Sequence, residues 1–165
     1  MFRYLPLLLL VGAVALVSLR APAPADAAFV PDRMSTGGHF TEPNFLTDPT
    51  VKVSFGGVIQ CDGSDPSNLI VHYRVQAEFH LETVTSVTCT LNNPNDSNSG
   101  GQLVATGTGT CNGAPAQAFR IELNDTGHGN PGDSAAFQVL GTVPGCTYAT
   151  FARALEGGQL TLHTD

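Results

Sequence analysis

From residue 50 onward the chain alternates polar and apolar residues in short runs separated by turn-forming clusters, and helical spacing is almost absent. Thr50-Val51-Lys52-Val53-Ser54-Phe55 has the period of two that a strand with one wet face requires. Gly56-Gly57 permits a bend before Val58-Ile59-Gln60-Cys61 continues the strand. Asp62 to Ser67 reads as a turn, because Gly and Pro set unusual backbone angles while Asp and Ser bond their own backbone. Leu69 to Tyr73 opens the next strand. Between Phe79 and Leu91 the apolar phase slips from Leu81 to Val84, which predicts a β-bulge near Glu82-Thr83. One unbroken strand from Leu69 to Leu91 would far exceed the usual length of about three to ten residues.

Asn92 to Gly101 is too rich in polar turn formers to bury surface and predicts a solvated loop. Gln102 to Cys111 and Ala118 to Leu123, joined through Asn112-Gly113-Ala114-Pro115, predict a hairpin. A second polar loop, Asn124 to Asp133, precedes a strand from Ala135 to Leu140 in which Ala135, Phe137 and Val139 share a face. Gly141 to Tyr148 reads as irregular, Phe151 to Leu155 fits no single pattern, and Gln159 to His163 reads as a terminal strand. About eight strands at hairpin spacing predict an all-β fold, an antiparallel β-sandwich or flattened barrel.

The N-terminus departs from this pattern. Arg3 precedes an apolar run from Tyr4 to Leu19, and Ala25-Asp26-Ala27 offers the small residues a signal peptidase accepts, so residues 1–27 predict a cleaved secretory signal. The run is shorter than the ~20 residues of a spanning helix. Residues 28–36 then predict a flexible segment, and 37–165 a single β domain. Cleavage removes Arg3, Arg20 and Asp26 and leaves 138 residues with 5 basic and 13 acidic side chains, a net charge of −8. Phosphate contacts need clustered Lys and Arg, whereas Arg33, Lys52, Arg74, Arg120 and Arg153 are scattered singly. Nucleic acid and, after cleavage, the membrane are therefore excluded as expected partners. The expected location is secreted or periplasmic, and the expected partner an extracellular protein or glycan whose identity the residues do not specify.

In an oxidising compartment Cys61, Cys89, Cys111 and Cys146 read as two disulfides, and sequence alone leaves three connectivities open. We take Cys61–Cys89 with Cys111–Cys146 as the expectation. Zinc is the alternative use of four cysteines, but no C-x-x-C pair occurs and the flanking residues are strand-like.

Several local patterns recur in a fixed order: Gly37-Gly38-His39-Phe40, then Val58-Ile59-Gln60, then Phe79-His80-Leu81-Glu82-Thr83-Val84-Thr85-Ser86-Val87. After them come Phe119 to Leu123, Asp125-Thr126-Gly127, Pro131-Gly132-Asp133, Phe137, and Gly157-Gly158-Gln159-Leu160-Thr161-Leu162-His163. Over residues 37–163 this order resembles the post-choice-of-anchor (post-COAP) domain of secreted bacterial proteins. Gly129-Asn130 and Ala136 lengthen the pattern, and the four cysteines are not part of it. The resemblance implies an extracellular β module, often appended to other domains, with no catalytic residue to carry over.

Candidate chemistry concentrates in two places. Asn124, Asp125 and Asp133 flank a glycine-rich loop and are hard oxygen ligands of the kind calcium takes, although a complete site needs about six to eight oxygens. The plainer reading is that Asp125 and Asp133 form Asx-turns that shape the loop. His72, Arg74, Gln76, Glu78, His80 and Glu82 share parity and predict one polar face. Such a face suits a sugar, but carbohydrate sites present exposed aromatic rings, and the mature chain has no Trp and only Tyr73 and Tyr148. On one extended strand His72 and His80 would stand ~26 Å apart, too far to share a metal ion without a turn between them. Ser134, Asp133 and His128 supply the residue types of a hydrolytic triad without a nucleophile elbow, and Glu122 with Asp125 makes only a weak glycosidase pair. Asn95 and Asn124 head two Asn-x-Ser/Thr sequons. The preferred reading is a secreted, non-enzymatic structural or interaction module whose loops carry any binding. The alternative is a secreted hydrolase or carbohydrate-binding protein using the Asn124–Asp133 loop.

Overall fold

Among the described residues, strand-forming alternation carries through to a single antiparallel sheet of ten strands. The computed structural model describes residues 28–44, 48–73, 77–127 and 132–165; the expected signal segment 1–27 lies outside them. The strands are β1 (Pro31–Asn44), β2 (Asp48–Gln60), β3 (Asn68–Tyr73), β4 (Ala77–Leu91), β5 (Gly101–Cys111), β6 (Ala114–Asp125), β7 (Ser134–Leu140), β8 (Thr147–Ala149), β9 (Arg153–Ala154) and β10 (Gly157–Thr164). Their order is β10-β1-β2-β3-β4-β5-β6-β7-β8, with β9 also paired to β7. β1 to β8 thus form a meander, and β10 alone crosses back to pair with β1.

One face of this sheet is apolar, and it is buried by folding the sheet over on itself. Phe40 of β1 lies parallel to Phe137 of β7 with ring centroids 6.2 Å apart, and Phe55 of β2 meets the same ring at 4.9 Å. Strands five and six places apart in the ladder therefore face each other across the core. Phe79 of β4 and Phe119 of β6 approach at 5.5 Å over β5. The inward face of β5 is correspondingly small: a Cβ on Gly107 would collide with the Phe119 ring at 2.7 Å, and one on Gly109 with the Phe79 ring at 2.6 Å. The space between Leu69, Val71, Phe79, Phe119, Phe137 and Val139 is too tight for a water molecule, as expected of a close-packed interior.

The ladder does not close into a barrel. β10 lies against β6 without a backbone ladder between them. The fold is all-β and antiparallel as the alternation requires, with the core formed between two parts of one sheet.

Several elements differ from expectation for identifiable reasons. Residues 31–36, expected in a flexible segment, belong to β1 and pair with both β2 and β10. The inward positions along this part of β1 are Met34, Thr36 and Gly38, so the apolar period is diluted. Gly38 has no room for a side chain, since a Cβ there would stand 2.8 Å from the Gly157 carbonyl oxygen and 3.0 Å from Leu155. Two further strands, β8 and β9, are too short to show a period. The bulge expected near Glu82-Thr83 is present, because the β4–β5 register shifts between Leu81 and Thr83 and again between Val84 and Ser86.

The disulfides are Cys61–Cys89 and Cys111–Cys146, with Cα separations of 5.6 and 5.9 Å. The first ties the end of β2 across β3 to β4. The second ties the end of β5 to the loop before β8. No free cysteine remains. Two disulfides place the described fold in an oxidising environment, extracellular or periplasmic. Among the described residues no helix is long and apolar enough to cross a membrane.

Candidate functional site

Continuing the alternation of Ile121 and Leu123 carries Asp125 inward at the end of β6, and Asp133 sits inward at the entry to β7. Both are nearly sealed from solvent, at 6% and 8% exposure. A buried carboxylate needs hydrogen-bond donors for its oxygens, and here every oxygen has one. Asp125 Oδ1 accepts from Gly127 N at 2.7 Å, and its Oδ2 from Leu162 N at 2.8 Å. Asp133 Oδ1 accepts from Thr126 N at 3.0 Å and Thr126 Oγ1 at 3.1 Å, and its Oδ2 from Leu160 N at 2.8 Å. Leu160 and Leu162 belong to β10, the strand that fails to ladder with β6. The two acids therefore supply, from side chains, acceptors that a neighbouring strand would otherwise give to the edge of β10.

The bond from Asp125 to Gly127 is the Asx-turn expected of that residue. Asp133 acts differently: its partners are Thr126 and a strand 27 residues away. Asn124, the third candidate calcium ligand, lies on the opposite face, where its Nδ2 donates to Ser134 Oγ at 3.2 Å. The structure thus brings Asp125 and Asp133 to one seam and leaves Asn124 outside it. A cation between the two acids would have to displace their bonds to backbone N–H groups. Ser134 and Asp133 likewise face opposite ways, and His128 lies outside the described residues. Glu122 points outward to Gln102 Nε2 at 3.0 Å, away from Asp125.

Two further buried polar residues hold distant backbone in the same manner. Glu42 accepts from Phe151 N at 2.7 Å and from Arg153 Nε at 2.8 Å. Gln117 Oε1 accepts from Thr142 N at 2.7 Å. Sequence reasoning missed both. Their one signal is a polar residue at an inward position of a strand, Glu42 two residues after Phe40 and Gln117 two before Phe119.

The second cluster lies on the outer face. The chain reverses between Tyr73 and Ala77, so β3 and β4 run antiparallel and His72 pairs directly with Glu78. This reversal removes the 26 Å separation expected of one extended strand. The Glu78 carboxylate now lies between two imidazoles, its Oε2 3.3 Å from His72 Nδ1 and its Oε1 2.5 Å from His80 Nε2. All three side chains are about half exposed. Arg74 and Gln76 lie outside the described residues, and Glu82 falls at the bulge. Tyr73 and Tyr148 stack on each other at 4.3 Å with planes 3° apart, on the core side of the sheet. Neither offers a free platform to a sugar. The Tyr148 hydroxyl is buried without a partner among the described residues, and burial, reinforced by Tyr73, pushes its pKa up.

The hydrogen bond with His80, helped by the charges of His80 and His72, holds the Glu78 carboxyl below the ordinary glutamate range. Because the folded value is the lower one, the stability this group contributes is present above the ordinary glutamate range and is lost as pH falls through the lowered value. A carbon-detected NMR titration is expected to show Glu78 protonating at more acidic pH than a solvated glutamate, and His80→Asn is expected to return it toward the ordinary range. An unshifted Glu78 in the wild-type chain contradicts the assigned pairing.

No family model, curated protein or solved structure matches the chain.

Proposed function

We propose that this chain is an exported, non-enzymatic structural or interaction module. The observation that supports the reading best is the use made of its buried acids: Glu42, Asp125 and Asp133 all bind the backbone of segments distant in sequence. A general acid, base or nucleophile must instead direct its oxygen at a space a substrate can enter. The likeness in residue order to post-COAP domains points the same way, to an extracellular β module. Binding belongs on the loops at the end of the sheet that holds the β4–β5 connection, because loops on a rigid scaffold are free to vary. There Asn92 Nδ2 donates to Ser99 O, and Phe29 N donates to Pro94 O, which orders an exposed polar surface for an extracellular protein or glycan.

Turnover by the mature chain on ester, glycoside and peptide substrates separates this reading from the hydrolase alternative. The module reading expects no turnover above buffer. Turnover that Asp125→Asn abolishes, in a variant that still unfolds cooperatively, overturns it.

A further inference from the structure

We propose that His72, Glu78 and His80 form a surface site for one divalent transition-metal ion of zinc's class. The site goes beyond the module reading, and nothing in that reading requires it. His72 and Glu78 are directly opposed on β3 and β4, and His80 follows Glu78 two residues along the same strand. The histidines are therefore diagonal cross-strand neighbours, a relation that sets their Cβ atoms ~7 Å apart. Two imidazole arms span that gap and meet at the ~2.0–2.1 Å bonds zinc makes to nitrogen. The carboxylate between them supplies a third ligand.

Among the described residues, no three such donors are placed to hold a metal ion as their side chains now stand. At this cluster the Glu78 carboxylate occupies the middle, contacting each imidazole with a different oxygen. An ion entering there takes up the nitrogens that now face the carboxylate, and the carboxylate swings to become a ligand. Two imidazoles and one carboxylate without thiolate or further oxygens select zinc or copper(II) over calcium or magnesium. The ligand set leaves a coordination position open to water or to a donor from a partner.

Neighbouring groups on the same face leave the site accessible. Ser54 of β2 pairs with His72, Ile70 of β3 and Thr110 of β5 pair with His80, and the Glu78 backbone N donates to Asn112 Oδ1. Among the described residues, the neighbouring titratable groups along the register are His39 of β1, which pairs with Ser54, Lys52 two residues before Ser54 on β2, and Glu82 two residues after His80 at the bulge.

Titrating zinc chloride into the untagged mature chain at neutral pH tests the proposal. Calorimetry is expected to give one saturable site per chain whose binding weakens as pH falls, because the ligands must be deprotonated. His72→Asn, His80→Asn and Glu78→Gln are each expected to weaken binding at least ~10-fold, while His163→Asn, whose ring is engaged by Ser35 Oγ on β10's side of the sheet, leaves it unchanged. Paramagnetic cobalt(II) added to the wild-type chain supplies a readout that does not depend on any variant's folding, with broadening centred on residues 70–72 and 78–80. Absence of saturable zinc binding, undiminished binding by the His72→Asn/His80→Asn double variant, or broadening centred elsewhere overturns the proposal.

Discussion

Reduction of both disulfides is expected to remove about 7 kcal/mol of stability, a large part of the about 5–15 kcal/mol that holds a domain folded. Cys61–Cys89 closes a loop with a sequence separation of 28, and Cys111–Cys146 one of 35. In the loop-entropy account each restricts the unfolded chain by about 3.5 kcal/mol. The two act on different halves of the roll: one spans β2 to β4, the other fixes the loop that precedes β8 to the end of β5. Urea unfolding with and without reductant measures the effect. A midpoint that moves by less than about 1 kcal/mol equivalent would mean the sheet's own packing suffices.

The next largest effects are expected at the seam. Asp133→Ala leaves Leu160 N without its acceptor and removes the carboxylate that Thr126 N and Thr126 Oγ1 bond, and Asp125→Ala leaves Gly127 N and Leu162 N without theirs. Donors stranded in a buried site each cost about 1–3 kcal/mol, so each substitution is expected to destabilise the fold by about 3 kcal/mol or more. Asn124→Ala, one residue away but on the outer face, is expected to cost under about 1 kcal/mol. Equal effects at Asn124 and Asp125 in chemical denaturation would contradict the division of the loop into a sealed inner face and an exposed outer one.

Much of this architecture can be read in the residues because each side chain reports its own face. Phe119, Ile121 and Leu123, then Ala135, Phe137 and Val139, alternate without interruption and become β6 and β7. The phase slip between Leu81 and Val84 marks the bulge directly. Where inward positions are not apolar the signal fades, as with Thr36 and Gly38 in β1; Gly38 is set there by the close approach of Leu155 and the Gly157 carbonyl. The seam is less legible still. Asp125 and Asp133 look like loop-shaping or metal-binding acids because their partners, the N–H groups of Leu162 and Leu160, lie 37 and 27 residues away and belong to backbone, which has no sequence signature. The pairing of His72 with Glu78 depends on where the strand between Leu69 and Leu91 breaks, and alternation on both sides of residues 74–76 keeps the same parity, so periodicity does not mark the reversal.

Amide hydrogen exchange at Leu160 and Leu162 tests most directly whether side chains close the edge of this open sheet. The account predicts that both amides exchange as slowly as those in the β1–β2 ladder, and that Asp133→Ala selectively speeds Leu160 while Asp125→Ala speeds Leu162. Rapid exchange of both amides in the wild-type chain, with the rest of β10 protected, would contradict it.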